Sequence, residues 1–125
     1  MQQSETNIFE IEREGETLVV VPAIDLGEPT FQDYDQAIKE LMAELDSSAD
    51  KNVVLDFHKT HYFGSTALGF FMRLWRQVLQ RNGRMAFCNV SDHELEILKV
   101  TRLDEFWPIC TSRPEALAAV RGSPA

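Results

Sequence analysis

Cysteine is scarce in this 125-residue chain, which contains only Cys88 and Cys110. The two do not form a Cys-x-x-Cys pair, so the sequence lacks the common dithiol redox motif. Both fall in apolar segments that we interpret as core strands, where a thiol packs as a small hydrophobic group. The amino terminus is polar and acidic, unlike a secretory signal or a transit peptide. Together these features predict a cytoplasmic protein without disulfide bonds.

Positive charge is also in short supply, because 12 Lys and Arg residues face 20 Asp and Glu residues and the net charge is -8. Nucleic acids and anionic membrane surfaces are bound through clustered Lys and Arg, so neither is an expected partner, whereas a basic protein surface is compatible. The chain has no apolar run near the roughly 20 residues of a membrane span. It also lacks both common glycine-rich phosphate loops, so we predict no nucleotide cofactor.

The alternation of strand-like and helix-like segments predicts one α/β domain over residues 8–120, with flexible termini at 1–7 and 121–125. The expected order is β-β-α-β-α-β-α-β-α, a mixed and mostly parallel sheet that opens with an antiparallel hairpin and is covered by helices. The predicted strands are residues 8–12, 17–21, 53–57, 84–90 and 106–110. The predicted helices begin at the pairs Thr30–Asp33, Thr66–Ala67, Ser91–Glu94 and Ser112–Glu115, and the second of them ends at Arg81 before an Asn-Gly stop.

The step Gly64-Ser65-Thr66 lies at the expected corner between a buried strand and the longest helix. A serine there can cap the helix by accepting a hydrogen bond from a first-turn amide, which is worth ~1 kcal/mol. The same position offers free amides and a partial positive charge, so a phosphate on Ser65 would be well accommodated. The carboxyl end of a strand in an open α/β sheet is also a usual place for exposed loops, which makes Ser65 accessible. Both interpretations follow from the residues.

Three other chemistries have weak support. His58 and His61 lie three residues apart in a predicted loop, a spacing that does not converge two rings on a metal, and a catalytic zinc needs three protein ligands. A phospho-aspartate receiver using Asp56 would need an acidic pair after the first parallel strand, where only Asp25 stands, and a lysine after the last strand. No histidine is placed to activate Ser65 as a hydrolytic nucleophile. We therefore predict neither a metal site nor a catalytic residue.

The segment VVLDF, the loop that begins His58-Lys59-Thr60, and FGSTALG at 63–69 resemble the signature of the STAS family, the domains of anti-sigma factor antagonists. The usual form is a hydrophobic strand ending in Asp, followed by an apolar residue, Asp, Ser, Ser or Thr, Gly, Leu and Gly. The Ile24-Asp25 loop, the Asn82-Gly83-Arg84 stop and the segment 100–103 are similar as well. Gly64 stands where the family has its acidic residue, and Ala67 stands where it has a glycine.

The resemblance implies a non-enzymatic binding protein in which Ser65, with Thr66 as second candidate, is phosphorylated by its partner. That partner would be an anti-sigma factor of the serine kinase (GHKL ATPase) type, and a serine phosphatase would remove the phosphate. The expected partner-binding residues are Asp25, Gly64, Ser65, Thr66, Leu68 and Arg73. The missing acidic residue at Gly64 supports an alternative, a non-phosphorylated STAS scaffold subunit of a sensory or lipid-transport complex.

Overall fold

The computed structural model describes residues 8–26 and 31–121, and of residues 31–34 it describes the backbone but not the side chains. One sheet has the strand order β1-β2-β3-β4-β5, in which β1 and β2 are antiparallel and the remaining neighbours are parallel. The strands are β1 (Phe9–Glu14), β2 (Thr17–Pro22), β3 (Asn52–Asp56), β4 (Met85–Cys88) and β5 (Ile109–Cys110). The helices are α1 (Phe31–Asp46), α2 (Ser65–Gln80), α3 (Asp92–Val100) and α4 (Arg113–Arg121). The predicted fold class and element order are confirmed.

The sheet is covered on both faces because successive side chains of a strand point in opposite directions. In β3, Val53 and Leu55 belong to the larger core, which α1, α2 and α3 complete, while Val54 belongs to a smaller core beneath α4. All five residues of β3 are buried, as expected for a central parallel strand. Among the described residues no helix is long and apolar enough to cross a membrane.

An aromatic cluster fills the larger core directly behind the junction of β3 and α2. The ring of Phe57 lies 5.3 Å from that of Phe63 and 5.7 Å from that of Phe71, and Phe87 stacks on Trp107 at 5.0 Å between centroids. Such rings bury large areas and interlock in stacked and edge-to-face pairs. The junction of β3 and α2, where Ser65 lies, therefore packs on a dense aromatic cluster.

Helix α2 ends in a Schellman motif. Asn82 has a positive φ of 61°, and the Gly83 amide donates to the Val78 carbonyl at 2.9 Å. A Cβ on Gly83 would lie 1.7 Å from the carbonyl oxygen of Lys51, so only glycine fits at this crossing. The predicted Asn-Gly stop is confirmed, with the last helical residue at Gln80 instead of Arg81.

Several predicted details are wrong or lie outside the described residues. Strand β5 is only two residues long, because Pro108 has no N–H for the ladder, although it is an edge strand as expected. Cys88 is buried but Cys110 only partly so, and both are free thiols. Arg121 is the last residue of α4. The predicted pair at Thr30–Asp33 and the termini 1–7 and 122–125 lie outside the described residues or side chains.

Candidate functional site

The candidate site is the loop that joins β3 to α2, together with the first turn of α2. On one side the loop is bound to the segment that follows β2, where Leu26 and Phe63 form a parallel bridge. The Gly64 amide donates to the Leu26 carbonyl at 2.9 Å, and the Leu26 amide donates to the Tyr62 carbonyl at 3.2 Å. The carboxylate of Asp25 accepts a hydrogen bond from the His61 amide at 2.8 Å. Asp25 therefore holds the loop in place from this side.

On its other side the loop is bound to the amino terminus of α3. The Ser91 hydroxyl donates to the His61 carbonyl at 2.6 Å, and the Thr60 hydroxyl donates to the Glu94 carboxylate at 2.6 Å. Glu94 is fully buried, and it also accepts the Ser91 amide, which completes the predicted capping box. The capping box could be predicted from Ser91 and Glu94, but its bonds to the loop could not, because they join residues distant in sequence.

Ser65 is the first residue of α2 and not its N-cap. Gly64 occupies the N-cap position in an extended conformation, with φ of -108° and no side chain to cap the helix. The capping interpretation of Ser65 is therefore wrong. Ser65 and Thr66 are exposed, and within the described part of the chain neither hydroxyl and neither backbone amide has a hydrogen-bond partner. A free hydroxyl thus stands beside free amides at the positive end of a helix.

The exposed face of α2 continues from Ser65 through Gly69 and Arg76, with the half-buried Met72 at its edge. A Cβ on Gly69 would meet no atom within 4 Å, so this face is bare one turn beyond Ser65. A glycine in a helix interior costs about 1 kcal/mol relative to alanine, and the packing within the chain does not require one here. Gly69 ends the FGSTALG segment, but our sequence interpretation assigned it no role of its own, although a mid-helix glycine was a visible signal.

The predicted partner-binding residues fall into two groups. Asp25, Gly64, Ser65 and Thr66 meet at the corner, and Leu68 is half-buried in the next turn of α2. Arg73 is exposed and lies about 12 Å along the helix from Ser65 by helical rise, beside a groove of ≈ 530 Å³ between α1 and α2. Within the described residues its guanidinium forms no ion pair. Arg73 therefore extends the surface of the corner and does not belong to the corner itself.

Asp56 anchors the start of the loop from the opposite face of the sheet. Its carboxylate accepts from His58 N at 3.1 Å, Asn89 Nδ2 at 3.0 Å and Arg113 Nε at 2.9 Å, and His58 Nδ1 lies 3.0 Å away. Burial raises the pKa of Asp56, but hydrogen bonds from Asn89, His58 and Arg113 outweigh it, so the pKa lies below its ordinary value. This is the arrangement of a structural carboxylate, unlike the open acceptor that a receiver domain needs.

Fold and site together define a small α/β domain that presents an unbonded serine hydroxyl at the amino terminus of α2. Comparison with protein families gives the class a name, because the model described as "STAS domain" matches residues 8–116. The chain belongs to the STAS domain family.

Individual relatives agree with this assignment. BtrV of Bordetella bronchiseptica, whose name describes a candidate anti-sigma factor antagonist, is 28% identical over 87 residues, 70% of this chain and 74% of that protein. A Thermotoga maritima structure described as a candidate anti-sigma factor antagonist superposes with a TM-score of 0.79 at 18% identity, covering 90% of this chain and 94% of that one. The anti-sigma factor antagonist SpoIIAA in its unphosphorylated form gives 0.76 at 19% identity, covering 94% and 99%. Bacillus SpoIIAA in its phosphorylated form gives 0.64 at 18% identity, covering 89% and 97%.

Proposed function

We propose that this chain is an anti-sigma factor antagonist that binds an anti-sigma factor of the serine kinase (GHKL ATPase) type, and that phosphorylation of Ser65 releases it. The observation that carries the proposal is the exposed, unbonded hydroxyl of Ser65 beside the free amides of Ser65 and Thr66. The names of BtrV and SpoIIAA, and the existence of a phosphorylated SpoIIAA, support it.

The phosphoryl transfer assigns a simple role to this chain. Ser65 Oγ attacks the γ-phosphorus of ATP bound to the kinase, the bond to the leaving ADP breaks, and the serine proton passes to a base of the kinase. The product adds -1.5 to -2 charges at the amino terminus of α2. There the free amides and the helix dipole stabilise the anion, so the fold tolerates it. The complex with the partner does not tolerate the phosphate, because the size and negative charge of the phosphate prevent the two protein surfaces from meeting.

The loop needs little ordering before it docks. Asp25 and Leu26 hold it from one side and Ser91 and Glu94 from the other. Ordering a flexible segment opposes association, so a loop already held in place retains more of its contact free energy for binding. The proposed docking surface consists of Asp25, Gly64, Ser65, Thr66 and Leu68, with Arg73 at its margin.

Incubation with such a kinase and ATP, followed by mass spectrometric mapping, tests the modification. We expect one phosphate on Ser65, none on Ser65→Ala, and a phosphate still on Ser65 in Thr66→Ala, which is the matched control for the site of modification because Thr66 is the neighbouring exposed hydroxyl. A metal-dependent serine phosphatase should remove the phosphate. Labelling that persists in Ser65→Ala, or that maps to another residue, would contradict the assignment.

Gly69→Ala separates folding from docking. The new methyl group meets nothing within 4 Å, so it should raise the free energy of unfolding by ~0.5 to 1 kcal/mol, as measured by urea denaturation. The same methyl lies one turn beyond Ser65, beside the proposed docking surface, and we expect a weaker complex with the kinase by calorimetry. Gln80→Ala, at the exposed far end of α2, serves as control and should leave the affinity unchanged. Equal affinity of Gly69→Ala and wild type would remove this face from the interface.

A further inference from the structure

A second pocket lies at the opposite end of the sheet from Ser65. It has a volume of ≈ 400 Å³, and Glu16, Thr17, Lys51, Asn52, Arg84 and Arg121 contribute to its lining. Thr17 and Asn52 are the first residues of the parallel strands β2 and β3. Ser65, in contrast, follows the carboxyl end of β3, which lies about 13 Å from Asn52 along the strand. The proposed docking surface does not include this pocket.

The rim of the pocket carries uncompensated positive charge. Lys51, Arg84 and Arg121 form no ion pair or side-chain hydrogen bond with any residue that the structure describes. Some arginines elsewhere in the chain are paired, as Arg113 is with Asp56 at 2.9 Å, whereas Arg73 and Arg76 beside the groove between α1 and α2 also form no ion pair with a described residue. Glu16 is the single carboxylate among the residues that line the pocket, so three cations face one anion there. A local positive potential in a chain of net charge -8 attracts small anions.

The base of the pocket carries buried polar groups with unused hydrogen-bonding capacity. Asn52 is 4% exposed and Thr17 is 1% exposed. The carbonyl of the Asn52 side chain accepts the Arg84 amide at 2.9 Å, but its Nδ2 has no acceptor among the described residues, and neither has the Thr17 hydroxyl. Among the described residues, Trp107 Nε1 is the only fully enclosed side-chain polar atom without a partner, so the donors of Asn52 and Thr17 are accessible from the pocket. A ligand that accepts hydrogen bonds could therefore bond to them beneath the three cations.

We propose that this pocket binds a small phosphate monoester. A phosphate presents three acceptor oxygens and up to two negative charges, which match the cations of the rim and the donors of Asn52 and Thr17. The volume falls within the range of small-molecule sites. Unused donors at the base of a concave pocket favour a small ligand that enters it over a protein segment that lies across its rim.

Titration with glycerol 3-phosphate, followed by amide NMR and calorimetry, tests the proposal, with glycerol as the uncharged control ligand. We expect saturable binding with the largest shifts at Thr17, Asn52 and Arg84, and no response to glycerol. Arg84→Gln should weaken binding at least fivefold, and its backbone bond to Asn52 remains available to hold the fold. Arg76→Gln is the matched control, because Arg76 is also an unpaired arginine but lines the groove between α1 and α2.

Equal weakening by both variants would reduce the effect to general charge attraction and overturn the site, as would shifts that map elsewhere or binding that never saturates. Stronger binding of a glutamate hexapeptide at the same residues would also overturn it, because the ligand would then be a protein segment. The labelling of Ser65 by the kinase should be the same in Arg84→Gln as in wild type. The site and the proposed switch can therefore fail independently.

Discussion

Asp56→Ala is expected to lower the free energy of unfolding by about 3 kcal/mol, as measured by urea denaturation monitored by circular dichroism. Asp56 is 2% exposed, and its carboxylate holds Arg113, Asn89 and the His58 amide together. Alanine would leave the His58 N–H without an acceptor, the Asn89 side-chain amide with only Cys88 Sγ at 3.8 Å, and Arg113 with Glu12 as its nearest remaining partner at 2.7 Å. That remaining pair keeps the expected loss at the lower end of the range for a broken buried ion pair.

Asp46→Ala is the control, since the Asp46 side chain is 64% exposed and lies 3.7 Å from Arg81, and its loss should amount to less than 1 kcal/mol.

The pH dependence gives a second test. The native pKa of Asp56 is lowered, so its stabilising contribution is complete above the unfolded pKa of about 3.9 and is lost as pH falls through the native pKa. The stability difference between wild type and Asp56→Asn should therefore be constant near pH 6 and shrink below about pH 4. A loss for Asp56→Ala as small as that for Asp46→Ala would show that this network contributes little.

Gly83→Ala is the second substitution with a large expected effect, a loss of about 3 kcal/mol or more in the free energy of unfolding. The added Cβ would lie 1.7 Å from the Lys51 carbonyl oxygen and 2.5 Å from its carbon. Both are backbone atoms, so relief requires a shift of the segment before β3 or of the end of α2. Thermal and urea unfolding should both show the loss.

The same chemical change at Gly69 provides the contrast. There the methyl group enters open space on a helix, and we expect a gain instead of a loss. A loss of less than 1 kcal/mol for Gly83→Ala would contradict the close contact between Gly83, after the end of α2, and the Lys51 backbone, before the start of β3.

The fold was predictable because its signals are local. The uniformly apolar VVLDF indicates a strand covered on both faces, and the capping box of Ser91 and Glu94 marks the start of α3 correctly. The boundaries are less accurate, because the predicted start of α2 assumed that a hydroxyl would cap it. Instead, Gly64, which has no side chain, occupies the N-cap position in an extended conformation. Ser65 is therefore the first residue of the helix.

The exposed position of Ser65 was predictable, whereas the hydrogen bonds that hold its loop were not. Ser65 follows from a strand that runs into a helix, and the structure exposes it as expected. The bonds of Asp25 to His61 and of Glu94 to Thr60 join residues 36 and 34 positions apart. No periodicity or spacing encodes such contacts, since they depend on which strands become neighbours. Asp25 at a partner surface stays a prediction, and its hydrogen bond to the His61 amide is a second role that the sequence did not indicate.

The most direct test of the proposed switch is the affinity of Ser65→Asp for the kinase-type anti-sigma factor, measured by calorimetry beside wild type and Ser65→Ala. We expect Ser65→Asp to bind at least tenfold more weakly, a difference of about 1.4 kcal/mol, and Ser65→Ala to bind as wild type does. All three proteins should unfold at similar urea concentrations, because the side chain is exposed. Unchanged binding by Ser65→Asp would contradict a switch at this residue.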